Sequence, residues 1–514
     1  MRAPKLATLR RQYQLLEISL DGLRPLPDAI VGLLTQHMRY VHMTYLHGQA
    51  AFDPRTGERS PVQLEDRYLY RFDDHERLIC GRGYLPRIRQ VLHDADWSLR
   101  EFDLTPPRPR PAAFEPDWDR LVTYFEPRER QDEAIAAIAD NEMGLIIAPP
   151  GFGKTHLFSA VALLYPQATI AIVVPDIDNA GKTVRYLTRY IPSVGQIGGG
   201  KAEKHRVTVY TQGSLHKLAA NGEVVDIVLV DEAHKAGAER VSVELARISA
   251  WPRMFGFTAT PTGRLDRADA KLESVFGQPI FEMVWQEAED LGLVVPIEVH
   301  WHNVLMQRNP AAGYKDVPRK RHGIWRNHDR NEVIANVARQ YPDEEQVLIL
   351  VATIEHAIYL KQLLPEFELC YANLAAEKLQ QYQAQELLDT DYSSLDRCGR
   401  ERLRQDFEQG RLKKVISTEV WGTGVSFDSL QVLILAAAKG GNKIWDEQAP
   451  GRTSRIHAAS GKQRGVVHDF LDQFDDGFHR AAKARRRNYE SKDWRQVLPQ
   501  QAPRTRAPRG GGWR

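Results

Sequence analysis

Two short runs in this chain have the residue types and the order needed to hold and cleave a nucleoside triphosphate. The first is Ala148-Pro149-Pro150-Gly151-Phe152-Gly153-Lys154-Thr155, entered from the apolar pair Ile146-Ile147. Glycines at 151 and 153 permit backbone conformations in which successive N–H groups turn inward around an anion. The start of a helix, where the dipole favours negative charge, is the place for such a turn. Lys154 then reaches the terminal phosphates, the Thr155 hydroxyl completes a Mg²⁺ shell, and Pro150, Gly151, Phe152 and Gly153 form the cradle. Ala148 stands where such loops carry their first glycine, a mild departure because the inward-facing amides come later. The second run is Val228-Leu229-Val230-Asp231-Glu232-Ala233-His234. A carboxylate that closes an apolar strand lies at the crevice where ligands of open α/β sheets bind. Asp231 is expected to hold Mg²⁺ through water, and Glu232 to orient and deprotonate an attacking water. An acidic helix start would explain the same pair, but its order and strand context after Lys154 favour the chemical reading.

A third run, Gln448-Ala449-Pro450-Gly451-Arg452-Thr453-Ser454-Arg455, lies far downstream. If it enters a helix, Arg452 and Arg455 are three apart and share one face. Two such guanidinium groups could act as arginine fingers on the γ-phosphate of ATP held by an earlier domain; a solvated basic turn explains them equally well. No His/Cys cluster with metal-ligand spacing and no acid–acid–Lys motif beside a strand suggests a nuclease.

These residues need rigid elements behind them. At 514 residues the chain is too long for one core and suggests about three domains. Apolar strand-sized runs at 144–148, 170–174, 207–210, 225–230 and 255–258 alternate with amphipathic stretches, as in a parallel sheet covered on both faces. A second series follows at 347–351, 368–372, 414–417, 432–436 and 466–470. The expected class is therefore α/β, two parallel-sheet domains in tandem, with boundaries at 118–296 and 297–478. Before them, 1–104 reads as a small mixed α+β domain with an aromatic strand-like stretch at 67–72, and four prolines within 105–111 make 105–117 a stiff linker. Residues 1–16 carry four basic residues and Leu6, Leu9, Tyr13 and Leu16 at helical spacing; a first helix is expected there rather than an organelle transit peptide. The segment 308–327, with Arg319-Lys320-Arg321-His322, reads as a solvated or nucleic-acid-facing loop. From 480 to 514, eleven lysines and arginines stand against two acids, which predicts a disordered basic tail at 479–514.

A net charge of +2 announces no nucleic-acid partner, so local patches must hold one. Three separated cysteines suit a reducing cytoplasm, and no apolar run approaches membrane-span length.

The ordered set Gln131, 148–155, Asp231-Glu232-Ala233-His234, Thr258-Ala259-Thr260-Pro261, Thr418…Gly422-Thr423-Gly424 and Gln448…Gly451-Arg452…Arg455 resembles superfamily-2 DExH-box helicases and translocases over roughly 125–472. Thr258-Ala259-Thr260-Pro261 looks more like the XPB, RecG and restriction-translocase side than the Ser-Ala-Thr of DEAD-box RNA helicases. The stretch 77–85 looks like the small domain ahead of the motor in UvsW-type phage DNA helicases. The resemblance implies two RecA-like domains, ATP and Mg²⁺ as cofactors, and nucleic acid, DNA rather than RNA, as partner. It gives Arg128 and Gln131 the adenine edge, although Arg128-Glu129-Arg130-Gln131 lacks the usual aromatic. By the same resemblance Gly424 joins the nucleotide site, with Gln448, Arg452 and Arg455 catalytic. His234, Thr258 and Thr260 couple that site to strand binding, while Pro175, Thr211, Gln212, Thr353 and Thr418 hold strand phosphates. The function it implies is an ATP-dependent DNA helicase or translocase remodelling duplex or branched DNA in recombination, repair or replication-fork processing, with candidate partner proteins of a recombination or defence complex. The alternatives are the translocase subunit of a restriction or phage-defence complex, and an ATP-dependent RNA helicase.

Overall fold

The computed structural model describes residues 5–499 except 13–14, 20–27, 46–50, 54–57, 61, 104–113, 221–223, 238, 249–251, 260–267, 372–373, 390–394, 422–426, 439–442 and 458–459. The chain divides into two compact units, Met1–Leu291 and Gly292–Arg514. The boundary therefore falls a few residues before the expected 296/297.

The larger sheet of the first unit has eight strands in the order Lys201–Glu203, Val194–Gly198, Val207–Thr211, Ile170–Val174, Ile227–Asp231, Arg253–Thr258, Met143–Ile147 and Pro279–Glu282. All neighbours are parallel except the hairpin between the first two. Its inner strands Met143–Ile147 and Ile170–Val174 are buried at every position, which is why they read as continuous apolar runs. Helix Lys154–Leu164 is buried from His156 to Leu164, hence apolar all round. In the second unit seven strands, all parallel, run Glu368–Cys370, Lys414–Ser417, Val347–Leu350, Val432–Leu435, Gly465–Asp472, Ile297–Val304 and Arg495–Val497. Both tandem parallel sheets expected from the sequence are present.

The N-terminal part has a five-stranded sheet of its own, ordered Tyr70–Phe72, Leu78–Gly81, Leu15–Ser19, Lys5–Gln12 and Trp97–Asp103. No helix occupies 5–12. That segment is an inner strand, antiparallel to Leu15–Ser19 and parallel to Trp97–Asp103, and local spacing carries no record of a partner some ninety residues away. This part also packs onto the larger sheet's helices within the first unit rather than standing apart. The Arg82 guanidinium, 1% exposed, donates to the Pro252 carbonyl at 2.8 Å. Arg87 pairs with Glu273 at 2.5 Å, and the Tyr84 hydroxyl reaches the Ala270 carbonyl at 2.9 Å. A Cβ at Gly83 would lie 1.8 Å from the Glu273 carbonyl oxygen, so glycine is required where this backbone meets helix Ala268–Phe276.

Two basic segments differ from expectation because part of their charge is paired inside the second unit. Residues 480–497 are not disordered. Helix Asp476–Glu490, capped by Asp475, buries Phe478, Ala482, Arg485 and Tyr489, and is followed by strand Arg495–Val497. Arg485 pairs with the fully buried Asp469 at 2.8 Å, and the Tyr489 hydroxyl donates to the same carboxylate at 2.9 Å. Net charge per segment cannot see a carboxylate contributed from another strand. Likewise 308–327 is no open loop; it contains helix Asp316–Lys320 and a wider turn at Arg321–Trp325, with Arg321 and Arg326 both on Glu355 at 3.1 and 2.5 Å. Residues 500–514 and most of the proline-rich linker lie outside the described residues.

Candidate active site

Parallel strands collect their C-terminal ends on one edge, and that is what assembles the site. Val173 is level with Val230, Asp231 with Phe257, and Ile147 with Thr258. The loop after 147, Pro175, Thr211, Asp231 and Thr258 therefore share the same edge of the sheet. In the second unit Thr353 and Thr418 follow neighbouring strands in the same sense.

Gly151 and Gly153 have φ of 98° and 90°, the left-handed conformations the loop needs. A Cβ at Gly153 would stand 2.7 Å from the Gln131 amide nitrogen, so the cradle has no room for a side chain there. The Lys154 ammonium donates to the Ala148 carbonyl at 3.2 Å, folded back across its own loop. The opening N–H groups of helix Lys154–Leu164 have no acceptor within it, as at any helix start. Four features fit a bound triphosphate: inward amides, a long flexible lysine, the half-buried Thr155 hydroxyl and an acid on the same sheet edge. Among the described residues no cluster of three His, Cys, Asp or Glu could cage a metal alone. Mg²⁺ is held by one or two protein groups together with phosphate oxygens and water; Asp231 and Thr155 would be those groups.

The Asp231 carboxyl is pushed up to about 7, first by desolvation and then by the charge of Glu232, while Lys154 pulls it down. Its Oδ1 accepts from the Glu232 N–H at 3.0 Å. An acid raised in this way carries an extra proton in the folded state between roughly pH 4 and 7. The contribution of that proton to stability is present below about pH 4 and lost as pH rises through 7. Asp231→Asn is therefore expected to raise the melting temperature of the nucleotide-free protein at pH 8 and to change it little at pH 5. A gain of equal size at both values would show that Asp231 is not held above its ordinary range.

Glu232 sits at φ 49°, in the left-handed region that costs a non-glycine residue about 1–2 kcal/mol. His234 holds it there: Nδ1 lies 3.3 Å from the Glu232 carboxylate and 3.1 Å from the Thr258 hydroxyl. His234 is buried, and Thr258 is fully so. The geometry thus runs Glu232, His234, Thr258, from the second acid of the pair to the end of the next strand. Thr260 lies outside the described residues.

Several expected ligand contacts are differently placed. Gln131 is fully buried, and its amide is committed inside the protein. Its nitrogen donates to the Phe152 carbonyl at 2.6 Å; its oxygen accepts from the Arg128 N–H at 3.0 Å and lies 2.9 Å from His156 Nδ1. Here it clamps the phosphate loop instead of facing an adenine edge. Phe152 is likewise fully buried, stacked on Phe281 at 5.3 Å, so only its backbone can meet a ligand. His156 escaped the sequence reading. Stacked on Phe125 at 4.0 Å and drawn down to about 4 by burial and then by Arg128, it stays neutral and supports Gln131. Its place two residues after Lys154, one turn from the loop, was the available signal.

Arg452 and Arg455 do not share a helical face. Helix Lys443–Gln448 ends at half-buried Gln448, a single tight turn spans Pro450–Arg452, and the chain then leaves helical geometry. The proline and glycine after Ala449 break the helix before both arginines can join it. Arg452 is buried and bonded to the Trp421 carbonyl, while Arg455, half-buried, pairs with Asp428 at 3.1 Å. They thus bracket 422–426, which contains Gly424 and is outside the described residues. Thr353 caps helix Ile354–Leu363 by accepting the His356 N–H at 3.2 Å, and Thr418 is buried. Thr211 bonds Ser214 at 3.0 Å, while the buried amide nitrogen of Gln212 has no hydrogen-bond partner among the described residues.

Fold and site together define a P-loop nucleotide-binding protein carrying two parallel α/β sheets. Residues 124–263 match the family described as "Type III restriction enzyme, res subunit". The "DNA 3'-5' translocase XPB2" of Sulfurisphaera tokodaii is 33% identical over 151 residues, which is 29% of this chain and 33% of that protein. The chain thus spans about a third of that relative. "Probable helicase D10" of Escherichia phage T5 is 24% identical over 382 residues, covering 73% of this chain and 77% of its own. A Saccharomyces cerevisiae Dbp5 structure bound to RNA and ADP BeF3 shares the fold at TM-score 0.51 and 17% identity, over 73% of this chain and 91% of that one. Motif order and these matches support a helicase or translocase of superfamily 2.

Proposed function

We propose that this chain is an ATP-driven motor that translocates on and remodels duplex or branched DNA. The observation that carries the reading is the connected set Glu232–His234–Thr258 beside a glycine-cradled Lys154, all on one sheet edge. Lys154 and Thr155 bind the phosphates and Mg²⁺ with Asp231, and Glu232 orients the attacking water. His234 and Thr258 relay the state of that site toward Pro175, Thr211 and Gln212, where a tracked strand is held. The Gln212 amide nitrogen, without a hydrogen-bond partner among the described residues, is a neutral donor suited to a phosphate that must be released each cycle. In the second unit Thr353 and Thr418 hold the strand, and Arg455, with Arg452 behind it, senses the γ-phosphate. Among the described residues no helix is long and apolar enough to cross a membrane.

ATPase stimulation separates the rivals. Forked DNA is expected to stimulate hydrolysis more than single-stranded DNA, and both more than RNA of the same length. Preference for RNA would overturn the DNA reading. The family match over 124–263 favours a second context, the translocase subunit of a restriction complex. Recovery of a stoichiometric nuclease or methyltransferase with the chain would select it.

A further inference from the structure

The N-terminal sheet and the motor unit enclose a cavity of about 380 Å³, lined among others by Tyr40, Tyr68, Tyr70, Ile79, Arg71 and Lys271. Three tyrosines line it together with Arg71 and Lys271, and among the described residues no acid does. Tyr70 and Phe72 are two apart in the edge strand Tyr70–Phe72 and share a face. With Tyr68 they form a ladder of edge-to-face rings, 5.4 and 6.0 Å between centroids. Tyr68 is 51% and Phe72 38% exposed. Arg71 puts one charge on this three-residue edge strand, and the rings on either side of it stay partly exposed. Arg71 is exposed and takes part in no ion pair among the described residues, and Lys271 lies 4.1 Å above the Tyr40 ring.

We infer that this cavity receives an unpaired nucleobase at the branch of a DNA substrate, with Tyr68 as its stacking face and Arg71 and Lys271 on the adjoining phosphates. The inference rests on the motor reading above and adds a second, base-contacting site to it. Ring spacings near 6 Å are too close for a base to slide between two rings, which takes about 6.8 Å, two base-stack rises. The base therefore lies on the open face of Tyr68 at the mouth of the cavity, whose volume suits one extruded base. Arg71, exposed beside the rings and in no ion pair among the described residues, favours a polyanion over an apolar peptide. The motor walls of the cavity come from helix Glu239–Ala246 and helix Ala268–Phe276, the first directly following the Asp231-to-His234 run and the second the next helix after the Thr258 strand. An occupied cavity is thereby in mechanical contact with both catalytic motifs.

The test uses the full chain, a fork with 2-aminopurine at the unpaired position beside the junction, and a blunt duplex of the same sequence. Wild type is expected to quench the 2-aminopurine. Tyr68→Ala is expected to weaken fork binding about 5–100-fold while leaving the blunt duplex unchanged, and Tyr68→Phe, which keeps the ring, to restore it. Tyr70→Ala gives the same loss if it folds; Tyr68→Ala, at an exposed position, decides the matter alone. Fork binding and quenching by Tyr68→Ala equal to wild type would overturn the inference while strand-stimulated hydrolysis leaves the motor reading standing. A wild type that hydrolyses ATP with no response to any nucleic acid removes both.

Discussion

Glu232→Gln is expected to keep ATP binding and lose about 10²–10⁴-fold in turnover, the range for removal of a positioned general base. The strained backbone at φ 49° and the contact to His234 belong to the position, so the amide preserves the shape of the site. It removes the negative charge that, in the proposed mechanism, orients and deprotonates water. The same change relieves Asp231, because the Glu232 charge is the second cause of its raised proton affinity. Nucleotide affinity, measured by a fluorescent ATP analogue with Mg²⁺, should therefore hold or improve as kcat collapses. A Glu232→Gln variant whose hydrolysis is still stimulated by DNA would sink the proposed mechanism.

Arg455→Ala is expected to lower kcat about 10³–10⁵-fold with little change in nucleotide affinity, the signature of a charge that acts on the transition state. Arg455 is the better placed of the two arginines. It is half-buried on a single ion pair with Asp428, whereas Arg452 is buried on the Trp421 carbonyl. Arg452→Ala is expected to add a loss of stability, since it empties a buried position and orphans that carbonyl. Arg455→Lys should restore little, lacking the planar fork that matches phosphate oxygens. A purely structural Arg455 would instead show a lowered melting temperature with kcat unchanged.

The geometry of the candidate nucleotide site was legible in the sequence because its parts are local. Gly151, Gly153 and Lys154 act through the conformation of adjacent residues, and Asp231-Glu232 through its position at the end of one apolar run. Both parallel sheets were legible for the same reason: a strand buried on two faces must be apolar throughout. What sequence alone could not resolve depends on partners distant along the chain. Residues 5–12 form a strand because Trp97–Asp103 pairs with them, and 480–490 form a packed helix because Asp469 neutralises Arg485. Gln131 clamps the phosphate loop because the Phe152 carbonyl and His156 reach it first. The N-terminal part packs on the motor through glycines whose need appears only when two backbones meet, as at Gly83 and Glu273. Spacing determined which residues could bind a triphosphate; tertiary packing decided which of their atoms are free to do so, because a buried polar group is claimed by its nearest partner before any ligand arrives.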